Sequence, residues 1–515
     1  MSLAQLTPNA VAGMRDPAVR GQSRSIESPQ GSTPVALPAI GDLMSMVAVV
    51  LIGAAFLLPK PATAGQLLMT FVLTLAAKIY FLPALFLLQI TPTDFAGGNA
   101  AGFDVMLERF ETVNFIIGPF PVNANYILLL AVVIRVAFEV LTNPRTLRGV
   151  MGVAMLVGWF AALGLDIAIS LMSRGEGAAS WTIPIRTTLV LASYWYGAIL
   201  IRECSLISAV LKRRLLWIAI AWLVWTITVR LTSESMYFFY ALLAAVGVTA
   251  AFSRRALPTL LGGGLLVGVG LHAAGVKQGA TAAFVAGERA VKLGSTLTIM
   301  IVVVFGAALA GMRCYFSPAT ATERRRKWLG SLATLSFAVV VAGLAIPPFV
   351  VPAITAYTVE HDAKYGLGYE RTLAQRVYYK LLVDRASVWR GTLQDVFEPP
   401  YIIRPMPQVS RIIFNDGSAY KWKYGSHNLL LELLHKKAWL SGSFCFFFLM
   451  VGLRSSLMYA FIGRHEGIAL LAICSAAVGI GSSIGGSAVA NAWQGFLFLG
   501  FAGLAQAQLV REKLL

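Results

Sequence analysis

The sequence predicts an all-α fold, a polytopic helical membrane bundle of about 12 to 14 transmembrane helices with a large external loop that contains short helices. Composition is the first observation behind this prediction. Of the 515 residues, 57% are hydrophobic and 13% are charged, and the mean hydropathy is +0.72. A soluble domain of this composition would leave large apolar surfaces exposed to water.

The length of the apolar stretches is the second observation. Runs of about 18 to 25 apolar residues recur along the chain, each long enough to cross a hydrocarbon core of about 30 Å as a helix. A membrane-spanning strand would instead alternate apolar and polar residues over about ten positions. The predicted spans are 42–59, 65–90, 124–142, 149–172, 184–202, 214–230, 235–252, 257–275, 295–312, 329–358, 438–453, 466–487 and 492–510.

The spans divide the chain into four segments. Residues 1–40 are rich in Ser, Pro, Gly and Ala without apolar periodicity, which predicts a disordered N-terminal tail. Transmembrane helices with short loops are predicted over 41–358, a large external loop over 359–437, and C-terminal transmembrane helices over 438–515.

Lys and Arg in the short connections predict the orientation of the chain in the membrane. They are concentrated in alternate connections, whose shared side is therefore predicted to be the cytoplasm. These residues are Arg145 and Arg148, Lys212 to Arg214, Arg254 and Arg255, Arg324 to Lys327, and Arg454 and Arg464. The net charge of +18 is thus assigned mostly to topology. An odd number of spans would place the basic tail outside, so either one span is miscounted or 65–90 does not cross simply.

The loop 359–437 is predicted to carry the chemistry, because its length of about 80 residues exceeds that of ordinary connections. The stretch from Glu370 to Phe397 has the spacing of an amphipathic helix and carries Arg376, Arg385 and Arg390 among other cations. Guanidinium groups bind phosphate oxygens in pairs, so external arginines favour a phosphorylated or carboxylated ligand. The alternative is a solvated face or contact with lipid headgroups.

His427 stands in a polar turn, Gly425-Ser426-His427-Asn428, that leads into an apolar helix. A histidine there can titrate near neutral pH and act as a general base, although a lone histidine is more often a cap or an interface residue. No HExxH motif, carboxylate cluster or CxxC spacing accompanies it, so no metal site is predicted. The four cysteines suggest no disulfide framework.

Ionisable residues inside the apolar runs are costly and usually face a cavity or a partner. Arg135 and Glu139 are four residues apart and are predicted to pair with each other on one helix face. Asp166 lies in the next apolar run and is predicted to face a cavity or a partner.

The order of these elements resembles the family of Wzy and WaaL-like lipid-linked polysaccharide polymerases and O-antigen ligases. The resemblance covers roughly residues 287–510 and rests on short motifs in the same order. They are Gly287-Glu288-Arg289-Ala290 before a span, Arg324 to Lys327 as a basic turn, Asp384 to Arg390 early in the loop, and Ser426-His427-Asn428 before Trp439-Leu440-Ser441-Gly442. Glu288 replaces a usual serine, and Pro399 to Gly417 replaces a small glycine motif.

The resemblance implies a metal-independent membrane glycosyltransferase without a cofactor. It would transfer a glycan from polyprenyl diphosphate to a sugar hydroxyl at the periplasmic face of a bacterial inner membrane, polymerising exopolysaccharide or O-antigen repeat units. An O-antigen-type ligase, or a transporter or flippase of the same lipid-linked sugars, is the alternative.

The resemblance also implies roles for individual residues and partners. The catalytic residues would be His427 as the base, with Arg289 and Arg385 at the leaving diphosphate. The substrate-binding residues would be Arg390, Arg376, Asn428 and Trp389. Expected partners are the polyprenyl-diphosphate-linked oligosaccharide, membrane lipid and a chain-length regulator or export proteins, and no nucleic acid.

Overall fold

The computed structural model describes part of the chain in detail. The described residues are 71–72, 74–76, 114–117, 120–143, 153–172, 182–203, 216, 219–220, 237–273, 289–354, 384–399, 410–413, 419–422, 426–435, 439–485 and 492–514. The predicted tail, the span 42–59 and most of the spans 65–90 and 214–230 lie outside these residues.

Helices dominate the described residues. In chain order they are α1 (Ala124–Thr142), α2 (Val153–Met172), α3 (Thr182–Ile199), α4 (Tyr237–Ala251), α5 (Ala256–Ala273), α6 (Arg289–Phe316), α7 (Glu323–Ala345), α8 (Pro347–Ile354), α9 (Asp384–Phe397), α10 (Leu429–His435), α11 (Trp439–Ile462), α12 (Glu466–Gly485) and α13 (Ala492–Arg511). Single 3₁₀ turns are formed by Leu200–Glu203 and Pro318–Thr320.

Two short antiparallel hairpins accompany the helices and were not predicted from the sequence. Strand β1 (Asn114–Ile117) pairs with β2 (Phe120–Asn123), and β3 (Ser410–Ile413) pairs with β4 (Ala419–Trp422). The second hairpin belongs to the loop 359–437, and β3 packs against α9. Part of that loop is therefore folded, as predicted.

Four helices in the described ranges are long and apolar enough to cross a membrane: Ile299–Phe316, Glu323–Pro352, Trp439–Ile462 and Glu466–Ile484. Shorter apolar helices are formed by Val157–Met172, Tyr237–Ala251, Ala256–Gly270 and Gly495–Arg511. The prediction of a helical membrane protein is confirmed at this level. The full number of spans and the side on which the loop lies remain predictions.

Helices α11 and α12 lie at the centre of the bundle, and α6 and α7 lie at its edge. In the apolar stretches, 78% of α11 and 89% of α12 is buried within the protein, against 28% of α6 and 17% of α7. Apolar side chains on the edge helices, such as Val304, Leu335 and Val339, are exposed. In a membrane these side chains would face lipid tails, which lets a peripheral helix remain apolar on all sides.

Small residues set the close approach of α3 and α13. A Cβ atom on Gly197 would collide with the backbone of Gly500, and one on Gly503 would collide with the backbone of Tyr194. Without side chains at these positions the two helices pack backbone to backbone, an arrangement common between membrane helices.

Several helices begin or end together at one end of the bundle. The Arg313 guanidinium, in the last turn of α6, donates to the Ala460 and Gly463 carbonyls at 3.0 and 2.9 Å, so α6 and α11 end together. Helices α7 and α12 begin nearby, after short turns. We call this the basic end, because among the described residues it carries Arg254, Arg255, Arg324 to Lys327, Arg464, Arg511 and Lys513.

Helix α11 is longer than predicted. The predicted span stopped at 453 and placed Arg454 in a connection, whereas the helix continues to Ile462 and Arg454 lies within it at an exposed position. The polar residues that follow have partners inside the bundle. Ser455 Oγ donates to Gln506 at 2.8 Å, and the hydroxyls of Ser456 and Ser475 are 2.7 Å apart. Hydroxyls with such partners do not require the helix to end.

Candidate functional site

The candidate site lies at the end of the bundle opposite the basic end, and we call it the site end. Two elements of the loop 359–437 build it: helix α9 and the turn before helix α10. Helix α9 packs against α8, α10 and β3, and α10 packs against α7, α11 and α12. The predicted helix 370–397 is confirmed over Asp384–Phe397, and its first part lies outside the described residues.

Arg385 joins three separate segments of the chain. Its Nη1 donates to the carbonyl of His427 at 2.7 Å and to the carbonyl of Ile484 at 2.9 Å. These carbonyls belong to the turn before α10 and to the last turn of α12. The structure therefore brings the two predicted catalytic residues Arg385 and His427 together, although the guanidinium contacts the histidine backbone in this arrangement.

Ser426 is fully buried, and its carbonyl, N–H and hydroxyl groups all have hydrogen-bond partners. The Trp389 Nε1 donates to its carbonyl at 2.8 Å. Its own N–H and hydroxyl both donate to Oε2 of the buried Glu432, at 2.9 and 3.1 Å. A carboxylate that accepts two hydrogen bonds in a buried position makes a strong, directional anchor. Trp389 and Glu432 thus fix the residue that precedes His427.

Asn428, the residue after His427, is also held by hydrogen bonds. Its Oδ1 accepts from the Leu431 N–H at 3.1 Å, which caps the N-terminus of α10. Its Nδ2 donates to the Leu344 carbonyl of α7 at 2.9 Å. Asn428 is buried, and its amide therefore caps α10 with one end and ties the turn to α7 with the other.

His427 lies between these two anchored residues and is itself partly exposed. Its backbone has φ of 53°, the left-handed region that non-glycine residues rarely occupy. The neighbours Ser426 and Asn428 leave the backbone little freedom to relax. A strained backbone conformation that is held by the surrounding structure is frequent at functional sites.

A second pair of buried groups connects α9 with α10 behind the turn. His435 Nε2 lies 3.5 Å from Asp395 Oδ2, and both side chains are buried. Sequence reasoning missed Glu432, Asp395 and His435 as parts of the site. The available signal was a single acidic residue in the apolar helix Leu429–His435, since a buried carboxylate requires a partner.

Of the two predicted substrate-binding arginines, the structure describes Arg390 but not Arg376. Arg390 donates from Nη2 to the Pro352 carbonyl of α8 at 3.0 Å, which ties α9 to the end of the α7–α8 segment. Arg376 lies outside the described residues. The predicted binding roles of Arg390, Trp389 and Asn428 remain predictions, and in this structure each side chain bonds to backbone of the protein itself.

Arg289 is the first residue of α6, and its backbone therefore lies at the helix end opposite the basic end. Its side chain lies outside the described residues. The contact of Val302 with Gly481 shows where α6 crosses α12. Arg289 lies about 20 Å along α6 from this crossing point. The Ile484 carbonyl that accepts from Arg385 is only about 5 Å of helix beyond Gly481. The approach of Arg289 to Arg385 therefore remains a prediction.

Asp166 of α2 caps the start of α11, which lies at the site end. Its carboxylate accepts from the Leu440 N–H at 3.2 Å, and from the N–H and hydroxyl of Ser441 at 2.7 and 2.6 Å. A negative charge at the first turn of a helix stabilises the free N–H groups there. The expectation that Asp166 faces a partner is met by this cap.

The other ionisable pair predicted from the sequence is also present. Arg135 Nη2 donates to Glu139 Oε2 at 3.1 Å, which confirms the pairing across one helical turn. Arg202 binds the second oxygen of the buried Glu139 carboxylate. This cluster ties α1 to the turn that follows α3.

The site surrounds one partly exposed histidine, His427, with buried polar groups that fix its backbone. No group of three or more His, Cys, Asp or Glu side chains suited to a metal ion occurs among the residues that the structure describes. In comparison with known proteins, no family model matches the chain, and no curated protein and no solved structure matches it.

Proposed function

We propose that the protein is a membrane glycosyltransferase that moves a glycan from a polyprenyl-diphosphate-linked donor to a sugar hydroxyl, as a polymerase of exopolysaccharide or O-antigen repeat units at the periplasmic face of a bacterial inner membrane. The observation that carries this proposal is the meeting of Arg385 and His427, which are 42 residues apart in sequence, at the Arg385 Nη1 to His427 carbonyl contact. The motif order of the sequence points to the same chemistry.

The reaction has two requirements that these residues meet. The acceptor hydroxyl attacks the anomeric carbon, a new C–O bond forms, and the bond from that carbon to the diphosphate oxygen breaks. The proton of the hydroxyl goes to the imidazole of His427, which acts as the general base. The charge left on the lipid diphosphate is stabilised by cationic groups nearby, for which Arg385 and Arg289 are proposed.

The anchored turn explains why a single histidine suffices as the base. Ser426 and Asn428 are buried and hydrogen-bonded, so the backbone of His427 is held in one conformation. A base that is fixed before the substrate binds loses little entropy on reaching the attacking geometry. Arg385 contributes to this geometry through the His427 carbonyl and places its positive charge beside the turn.

The test is replacement of His427 by alanine in cells that depend on this protein for polymer. We expect loss of long chains while single repeat units remain lipid-linked on the outer leaflet, with membrane expression unchanged. His465→Ala is the matched control, because His465 is a partly exposed histidine at the basic end. Polymer length is followed by gel electrophoresis, and lipid-linked repeats are followed by mass spectrometry.

Other outcomes distinguish the alternatives. Unchanged polymer in the His427→Ala cells would overturn the catalytic assignment. Polymer of full length that is no longer joined to its final acceptor indicates a ligase. Repeat units that accumulate on the inner leaflet, protected from reagents added outside, indicate a transporter or flippase.

A further inference from the structure

Two arginine-bearing turns at the basic end lie near the end of α6. The first joins α4 to α5 and carries Arg254 and Arg255; the second begins α7 and carries Arg324, Arg325 and Lys327. All five side chains are exposed. Helix α4 packs along α6, and Thr249 near the end of α4 hydrogen-bonds Cys314 near the end of α6. We call these two segments the basic turns.

Exposed aromatic and apolar side chains accompany the cations. Tyr315 is 74% exposed and Trp328 is 52% exposed, and both rings contact Phe316 edge-on, at centroid distances of 5.0 and 5.3 Å. The Arg325 guanidinium lies 5.7 Å from the centre of the Phe316 ring. Tyrosine and tryptophan favour the boundary between hydrocarbon and headgroups, where one part of the ring is apolar and the other is wet.

The same pattern recurs at the first basic turn. Phe252, two positions before Arg254, and Leu257, two positions after Arg255, are both exposed. An arginine pair flanked by exposed apolar side chains fits an interface whose outer layer is charged and whose inner layer is apolar. Both basic turns thus combine exposed cations with exposed apolar side chains.

The start of α7 carries more positive charge than the helix favours. Arg324, Arg325 and Arg326 occupy its first turns, where the helix dipole is also positive. The only acidic residue in that first turn is Glu323, which pairs with Lys327 at 3.2 Å. An external anion at this position would relieve the repulsion among the arginines, so anion binding and folding of this helix end are coupled.

We propose that the basic turns bind the phosphodiester headgroups of anionic phospholipids in the adjoining leaflet. The cations supply charge complementarity, the aromatic side chains place the turns at headgroup depth, and the apolar faces of α6 and α7 receive the acyl chains. This inference is independent of the glycan-transfer proposal, because the basic turns lie at the end of the bundle opposite the site.

The test uses the full-length protein in nanodiscs of phosphatidylcholine, alone or mixed with phosphatidylglycerol. We expect phosphatidylglycerol to raise the melting temperature of the wild type, and Arg324→Gln/Arg325→Gln to lose most of that increase. Competition between the two lipids, followed by native mass spectrometry, should show about tenfold or greater loss of preference for phosphatidylglycerol in this variant. Arg464→Gln/Arg511→Gln is the matched control, because it removes two exposed arginines from the same end outside the basic turns.

Three results would overturn the proposal. The first is an equal lipid preference in the wild type and in Arg324→Gln/Arg325→Gln. The second is an equal loss in the control variant, which would indicate a general effect of charge. The third is the same rise in melting temperature from millimolar inorganic phosphate in phosphatidylcholine nanodiscs, which would indicate a site for free anions. If the first variant fails to fold, Arg254→Gln/Arg255→Gln decides between the same outcomes.

Discussion

The arginines of the candidate site and the arginines of the basic turns have opposite surroundings. At the site end, Arg385 and Arg390 are partly buried, and their guanidinium groups donate to backbone carbonyls of α8, α12 and the His427 turn. At the basic end, Arg324 and Arg325 are exposed to the surroundings of the protein. The site arginines are thus fixed by the protein's own backbone before any ligand arrives, whereas the arginines of the basic turns are exposed to molecules outside.

This comparison predicts different consequences of substitution. At the site end, removal of a polar group leaves a buried partner without its hydrogen bond, which costs free energy of unfolding. In the basic turns the charged side chains are exposed, and surface substitutions usually change stability by less than about 0.5 kcal/mol. The predictions below test this contrast, beginning with the largest expected effect.

Glu432→Ala is expected to have the largest effect, because it leaves the buried N–H and hydroxyl of Ser426 without their acceptor. We expect a loss of about 2 to 4 kcal/mol in the free energy of unfolding, measured by denaturant titration in detergent micelles. Glu432→Gln retains an acceptor oxygen and should lose less than half as much. Equal losses in the two variants would show that the Ser426 contacts contribute little.

Asp166→Ala removes the cap of α11 and is expected to cost about 1 to 2 kcal/mol. The variant leaves the Leu440 and Ser441 N–H groups at the start of α11 without their side-chain acceptor. Asp166→Asn keeps one oxygen there without the negative charge and serves as the control. A stability of Asp166→Ala equal to the wild type, in the same denaturant titration, would mean that water replaces the cap.

The predictable part of this fold is the part that local periodicity determines. The predicted span 124–142 coincides with α1 (Ala124–Thr142), because a mostly apolar run, in which only Arg135 and Glu139 are charged, ends before Asn143-Pro144. The Arg135–Glu139 pair was predictable for the same reason, since both partners lie on one helix one turn apart.

The contacts that build the site were not predictable in this way, because they join segments far apart in sequence. Asp166 caps a helix that begins 273 residues later, and Arg385 contacts Ile484 across 99 residues. Motif order could place Arg385 and His427 at one site, but it could not indicate that the guanidinium contacts the backbone of the histidine. Periodicity carries no information on which carbonyl a side chain reaches.

A substitution of His427 is expected to change stability and activity in opposite directions. His427→Gly is expected to raise the free energy of unfolding by about 0.5 to 1 kcal/mol, because glycine adopts the left-handed conformation at φ of 53° without strain. The same variant should abolish long polymer if His427 is the base.

Ser317→Gly at the basic end is the matched control for position 427, since Ser317 also has a positive φ, of 45°. It should stabilise the protein similarly and leave polymer length unchanged. Stabilisation of neither variant would show that the left-handed conformations carry little strain. Full polymer length in His427→Gly would remove the catalytic role while leaving the strain argument intact.

The smallest effect is expected for the exposed pair of Glu323 and Lys327 at the basic end, whose charged atoms are 3.2 Å apart. Both side chains are mostly exposed, so water and salt screen their attraction. A double-mutant cycle with Glu323→Gln and Lys327→Gln, measured in zwitterionic micelles, should give a coupling of about 0.3 to 0.5 kcal/mol that declines as salt is added. A coupling above about 1 kcal/mol that resists salt would place this turn in a shielded environment. The charges at the basic end would then serve the structure, as those at the site end do, and the contrast between the two ends would fail.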